Sequence, residues 1–202
     1  MLKLYFAPNT RAVRIAWLLE ELGLDYELIR FTLGDKEMRQ EPFLKVHPNG
    51  RVPVLVDGDV TIFESGAIVE YILARHAGGR MRPDVDSDDF PTYLQWLHYS
   101  EGMMMPPINT IIVETVILPP ERRNEVNVKR AQKLLGQMLT TVETHMQGRK
   151  FLAGDFSGAD IMLGHNITGI SRFGDYLENL PNLSAYADRL IARPAFQKAH
   201  AL

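Results

Sequence analysis

Residues 47–68 read HPNGRVPVLVDGDVTIFESGAI. The stretch parses as loop, strand, tight turn, strand and helix start. His47-Pro48-Asn49-Gly50 is a dense turn signal. Residues 52–56 and 60–63 are apolar, β-branched runs on either side of Asp57-Gly58-Asp59, the pattern of a hairpin. Ser65 starts a helix whose Ile68, Val69, Ile72 and Leu73 share one face, with a stop at Gly78-Gly79.

Upstream, residues 2–6 are short, apolar and partly aromatic, a buried-strand pattern broken by Ala7-Pro8-Asn9. Ile15, Leu18, Leu19 and Leu22 then recur on one helix face, and Gly23 is placed to end that helix. Residues 25–31 read as a second strand. A strand, a helix and a strand in so short a span form a βαβ unit, so the two strands should be parallel. A weaker helix is predicted over 36–46. The order β-α-β-α-β-β-α suits one α/β domain, residues 1–78.

Residues 79–89 are polar and aperiodic and read as a linker. Everything after them is helical. A helix from Phe90 is interrupted at Pro106-Pro107 and resumes over 108–118. A long helix over 121–147 carries Val128, Ala131, Leu134, Leu135, Met138 and Leu139 as its buried stripe. Ser157 and Asp160 form a capping-box start, with Phe156 and Ile161 as its hydrophobic staple. Further helices follow over 181–191 and after Arg193-Pro194. The second domain is therefore all-α, residues 90–202.

The net charge of −3 offers no basic surplus for nucleic acid. No apolar run approaches the ~20 residues of a membrane span, and the apolar start breaks at Pro8, too early for a signal peptide. A cytoplasmic location is expected. With no cysteine, protein-thiol chemistry and thiolate metal sites are excluded, and no histidine pair has metal-ligand spacing.

Three places carry possible chemistry. Val52-Pro53 is either a trans proline at a strand edge or a cis bond that turns the Val52 N–H and carbonyl outward to pair with an extended ligand. Ser65 is a natural N-cap, and the free N–H groups of its helix also suit a carboxylate. Glu64 beside it suits an ammonium, so the pair matches the two charged groups of one amino acid. Asn9 and Thr10 stand between the first strand and its helix, either as caps or as donors to a bound anion or thiolate. Tyr99, Met103, Met104 and Met105 suit core or an adaptable groove.

LYFAPNTRAVRIAWLLEELGLDYE, HPNGRVPVL, FESGAI, FLAGDFSGADIML and a terminal RPAFQKA occur in that order. Together they make the chain similar to the cytosolic glutathione transferase superfamily over essentially its whole length, in a subgroup found in bacteria and fungi. The resemblance implies a thioredoxin-like N-terminal domain, an all-helical C-terminal domain and a homodimer. It implies that Val52-Pro53 is cis and that Val52 pairs with the cysteinyl backbone of glutathione. Glu64 and Ser65 would hold the γ-glutamyl end, Arg51 the glycine carboxylate, and Tyr99 with Met103 a hydrophobic electrophile between the domains. Glutathione is the implied co-substrate, with no metal.

The departure lies at the thiol. Aligned on residues 8–13, the usual serine falls on Ala7, which cannot donate. Asn9 matches the asparagine of a bacterial class with Thr-Pro-Asn there, and Thr10 is the nearest hydroxyl. Asn9 and Thr10 are the expected catalytic pair of a transferase. A glutathione-dependent disulfide or peroxide reductase, and a non-catalytic binder, remain as alternatives.

Overall fold

Leu2–Phe6 forms strand β1, and its alternation puts Leu2, Leu4 and Phe6 into one core while Lys3 and Tyr5 face the other side. Helix α1 (Ala12–Leu22) follows and ends at Gly23, which is left-handed at φ 67°. Strand β2 (Tyr26–Arg30) pairs with β1 in parallel, as the βαβ reading requires. Strands β3 (Val54–Asp57) and β4 (Val60–Phe63) make the antiparallel hairpin, and the sheet order is β2-β1-β3-β4. Helix α3 (Ser65–Arg75) returns beside α1. These coordinates come from a computed structural model that describes all residues 1–202.

The helix expected over 36–46 is two pieces. A 3-10 turn, Lys36–Arg39, and the single turn α2 (Phe43–Val46) are separated at Glu41-Pro42, a second cis peptide bond. A proline and its predecessor cannot continue a helix, which accounts for the break. Phe43 and Met38 cover the second face of the sheet, packing with Val54, Tyr5 and Phe31. Helix α3 stops at Arg75 rather than Gly78.

The chain divides into two units, and the first takes in both ends: Met1–Met81 with Ala192–Leu202. The terminal helix α9 (Pro194–His200), which the sequence assigns to the helical domain, packs on α1. Phe196 meets the Trp17 ring edge-on at 4.9 Å. The Arg193 guanidinium donates to both Glu21 oxygens, at 2.6 and 2.8 Å, and Lys198 pairs with Glu20.

The second unit, Arg82–Ile191, is all helix. Helix α4 (Phe90–Tyr99) runs through a wide π-turn, Ser100–Met104, into α5 (Met105–Ile112), and a second π-turn covers Val113–Ile117. Pro106-Pro107 does not interrupt the helix as expected. It sits in the first turn of α5, where a missing N–H is tolerated. Helix α6 is Glu125–Met146, capped by the Asn124 side chain; of the predicted stripe, Leu134 is exposed. Helix α7 (Gly158–Ile170) begins with the capping box between Ser157 and Asp160 and is buried nearly all round. Helix α8 (Pro181–Ile191) packs close against it: any Cβ at Gly164 would collide with Leu190.

Candidate active site

Strand register brings the sequence-predicted groups of the first unit to one end of the sheet. Tyr5 of β1 faces Val54, and Val54 faces Phe63 of β4. The residues just past these pairs are therefore neighbours. They are Ala7 to Asn9 leaving β1, Val52-Pro53 entering β3, and Glu64-Ser65 leaving β4.

The β3–β4 edge leaves several polar groups unpaired. Val52-Pro53 is cis. Val52 lies outside the ladder, which starts at Val54, and its N–H and carbonyl have no backbone partner. Arg51 is exposed and makes no ion pair within the protein. Glu64 is exposed at φ 74°, ψ 114°, a conformation that costs a non-glycine residue roughly 1–3 kcal/mol and is typical of functional positions. It is Glu64, not Ser65, that takes the N-cap position of α3, yet its carboxylate makes no capping bond. Ser65 is instead the first helical residue, buried, and its Oγ accepts a 3.0 Å bond from Arg14 Nη1. The first bond of α3 runs from the Ile68 N–H to the Glu64 carbonyl. The N–H groups of residues 65–67 thus precede it without an intrahelical acceptor.

The β1 exit is different. Ala7 is fully buried, so a side-chain donor at that position would point into the core. Thr10 is a cap: its Oγ donates to the Ala7 carbonyl at 2.6 Å and accepts from the Ala12 N–H at 3.2 Å. Its one hydroxyl proton is committed, which removes Thr10 as a donor to a ligand. Asn9 is exposed and left-handed at φ 59°, a region asparagine tolerates well. Of the two expected catalytic residues, only Asn9 presents its side chain outward.

Two residues of this region escape the sequence reading. Arg14 is completely buried although it stands one position from the apolar face of α1. His47, read only as part of a turn, is 5% exposed, and its ring lies 4.5 Å from that of Phe63. Burial pushes its pKa down; Glu64 opposes that shift and Arg51 adds to it. The sole hint in the sequence is that both lie within a few residues of the matched motifs.

In the second unit, the expected pair Tyr99 and Met103 separates. Tyr99 is half-buried, its ring 5.0 Å from that of Trp96 and its hydroxyl donating to the Met138 carbonyl of α6 at 3.4 Å. Burial raises its pKa. Its polar end is thus used in packing α4 on α6. Met103, in the π-turn, is 44% exposed. No three His, Cys, Asp or Glu side chains converge as metal ligands, and no helix is long and apolar enough to cross a membrane.

Chemically, the sheet end offers a cation, an anion, a free backbone N–H and carbonyl, and a helix N-terminus, none used by the protein itself. That set suits a short, extended, zwitterionic peptide.

A thioredoxin-like α/β unit ending in such an edge, joined to an all-helical unit, defines the class. Residues 1–74 match the family described as Glutathione S-transferase, N-terminal domain, and residues 104–194 match Glutathione S-transferase, C-terminal domain. The chain is 35% identical to Glutathione S-transferase 4 of Zea mays over 89% of its own length and 82% of that protein. It is 30% identical to Glutathione S-transferase PARB of Nicotiana tabacum, covering 98% and 96%. Among solved structures, a glutathione transferase homolog from Lodderomyces elongisporus, crystallised with two glutathione molecules per subunit, superposes with a TM-score of 0.90 at 25% identity, covering 99% of this chain and 97% of that one. Glutathione transferase F7 from Populus trichocarpa gives 0.89 at 27%, covering 100% and 98%. The chain belongs to the glutathione S-transferase family, whose co-substrate is glutathione.

Proposed function

We propose that this transferase grips glutathione along the 51–65 edge and uses Asn9 to hold its sulfur as a thiolate, for attack on a small hydrophobic electrophile. The observation that carries the reading is the row of unpaired groups at Arg51, Val52 and Glu64. Val52 pairs with the cysteinyl backbone, Glu64 and Ser65 take the γ-glutamyl end, and Arg51 meets the glycine carboxylate. Residues 1–78 act as the glutathione-binding domain.

A free thiol has a pKa of ~8.5, so only a few per cent is ionised at pH 7. Lowering it by one unit needs ~1.4 kcal/mol of preference for the anion, which one amide donor and the start of α1 can supply. The thiolate then attacks the electrophilic carbon, a C–S bond forms, and the leaving group departs with the bonding pair. Met103, exposed and polarisable, is the candidate contact for that substrate. On the same resemblance the enzyme is a cytoplasmic homodimer, so it should elute at twice its 22.9 kDa mass.

The test is a panel run with glutathione: a chloronitrobenzene, hydroxyethyl disulfide and cumene hydroperoxide. Turnover of the chloronitrobenzene is the expected result. Turnover of the disulfide or peroxide alone would make the enzyme a reductase. Retention on immobilised glutathione with no turnover would make it a binder.

A further inference from the structure

We propose that His47 is a positioning residue for glutathione, bracing the loop that carries Arg51 and Val52 against the strand that ends in Phe63-Glu64. The inference rests on the proposed function above and adds to it the part that sets the spacing of the two gripping edges.

His47 stands at the head of the turn that leads into the cis-proline. Its N–H donates to the Phe43 carbonyl at 2.9 Å, and its carbonyl accepts from the Gly50 N–H at 2.9 Å. Its Nδ1 accepts from the Asn49 N–H at 3.1 Å. The far side of the turn is equally constrained: Gly50 is left-handed at φ 57°, and a Cβ there would collide with the Met38 carbonyl. The turn is thus tied to the imidazole from within, while the ring lies tilted 36° against Phe63. Phe63 directly precedes Glu64. One side chain therefore touches both edges of the binding row.

The bond from Asn49 dictates the ring's state. An Nδ1 that accepts cannot carry a proton, so the neutral ring holds its proton on Nε2. Protonating Nδ1 would set two donors face to face and release the turn. The charged groups that face the ring are Glu64 and Arg51, of opposite sign, and burial favours the neutral form. At neutral pH the brace is closed, and acid opens it.

Two substitutions separate the two halves of the brace. His47→Phe keeps a ring against Phe63 and removes the acceptor. His47→Asn removes the ring and keeps an acceptor, because an asparagine side chain bonds the N–H two residues on in an Asx turn. The KM for glutathione should rise about fivefold to tenfold in His47→Phe, the effect of losing one positioning hydrogen bond. Its kcat at saturating glutathione and its KM for the electrophile should stay within about twofold of wild type. His47→Asn should bring the glutathione KM back to within about twofold of wild type. The wild-type KM for glutathione should also climb as pH falls from 7 to 5, and His47→Asn should lack that climb.

An unchanged glutathione KM in folded His47→Phe overturns the proposal. So does an acid climb that persists in His47→Asn. If His47→Phe does not fold, His47→Asn and the two pH profiles decide alone. Failure of the wild type to bind immobilised glutathione would sink the function and this inference together, whereas binding with an indifferent His47→Phe sinks this inference only.

Discussion

The two units treat their polar groups in opposite ways. In the second, Asp160 is wholly buried and saturated: it accepts from the Leu152 N–H at 3.1 Å, the Ser157 N–H at 2.9 Å, the Ser157 hydroxyl at 3.2 Å and the Tyr186 hydroxyl at 2.8 Å. Ser100 and Asn166 repeat the pattern, with Asn166 Nδ2 donating to both oxygens of Ser100. In the first unit, Arg51, Glu64 and the Val52 backbone are left unused at the surface. A buried polar group must be paired or it costs roughly 1–3 kcal/mol, so saturated groups are architecture. An exposed one is solvated by water and has no structural reason to be held at φ 74°, as Glu64 is. The contrast separates residues that keep the protein folded from residues that wait for a ligand.

Substitutions can break that contrast, and the largest effect is expected at Asp160. Asp160→Ala strands several buried donors and should cost about 3–5 kcal/mol in urea unfolding. The surviving folded protein should keep its glutathione KM. Burial also raises the Asp160 pKa from 3.8 to about 6. A carboxyl raised in this way contributes most to stability below its unfolded pKa, and that contribution is lost as pH climbs through the folded one. Relative to Asp160→Asn, the wild type should therefore gain about 3 kcal/mol between pH 7 and pH 4, at ~1.4 kcal/mol per unit. A flat difference would show that the carboxylate is already at ease when charged.

Asn9→Gly is the reciprocal case. Glycine accepts the left-handed backbone, so stability should move by less than ~0.5 kcal/mol. Turnover should fall about tenfold to a hundredfold, or ~1.4–2.7 kcal/mol. Ser65→Ala lies between the two classes, because its oxygen is both buried and bonded to Arg14. It should lose about 1–2 kcal/mol of stability and raise the glutathione KM several-fold. The smallest effect is expected at Thr10→Val. Loss of the cap should cost about 1 kcal/mol, with turnover within about twofold; a large drop in turnover would return Thr10 to the chemistry.

What could be read from residues alone follows the range of the forces involved. The hairpin at Asp57-Gly58-Asp59, the βαβ unit and the capping box at Ser157 are set by neighbours a few positions apart, and all appear as expected. The attachment of α9 to α1 was not legible, because Glu21 and Arg193 are 172 positions apart. Pro106-Pro107 misled because whether a proline breaks a helix depends on the turn before it, here the π-turn at Ser100–Met104. At the candidate site, the motifs located Val52, Glu64 and Ser65. They did not show that Glu64 rather than Ser65 is the cap, nor that Thr10 spends its proton on Ala7. Those outcomes depend on side-chain direction, which a motif does not carry. The buried Arg14 and His47 were missed for the same reason.

The most direct test is the ionisation of the glutathione thiol in the binary complex, followed through thiolate absorbance as pH is varied, in wild type and in Asn9→Gly. The expected wild-type pKa lies at least a unit below the free value of ~8.5, and Asn9→Gly should move it back up by about one unit. Equal pKa values in the two proteins would contradict the assignment of the thiolate to Asn9.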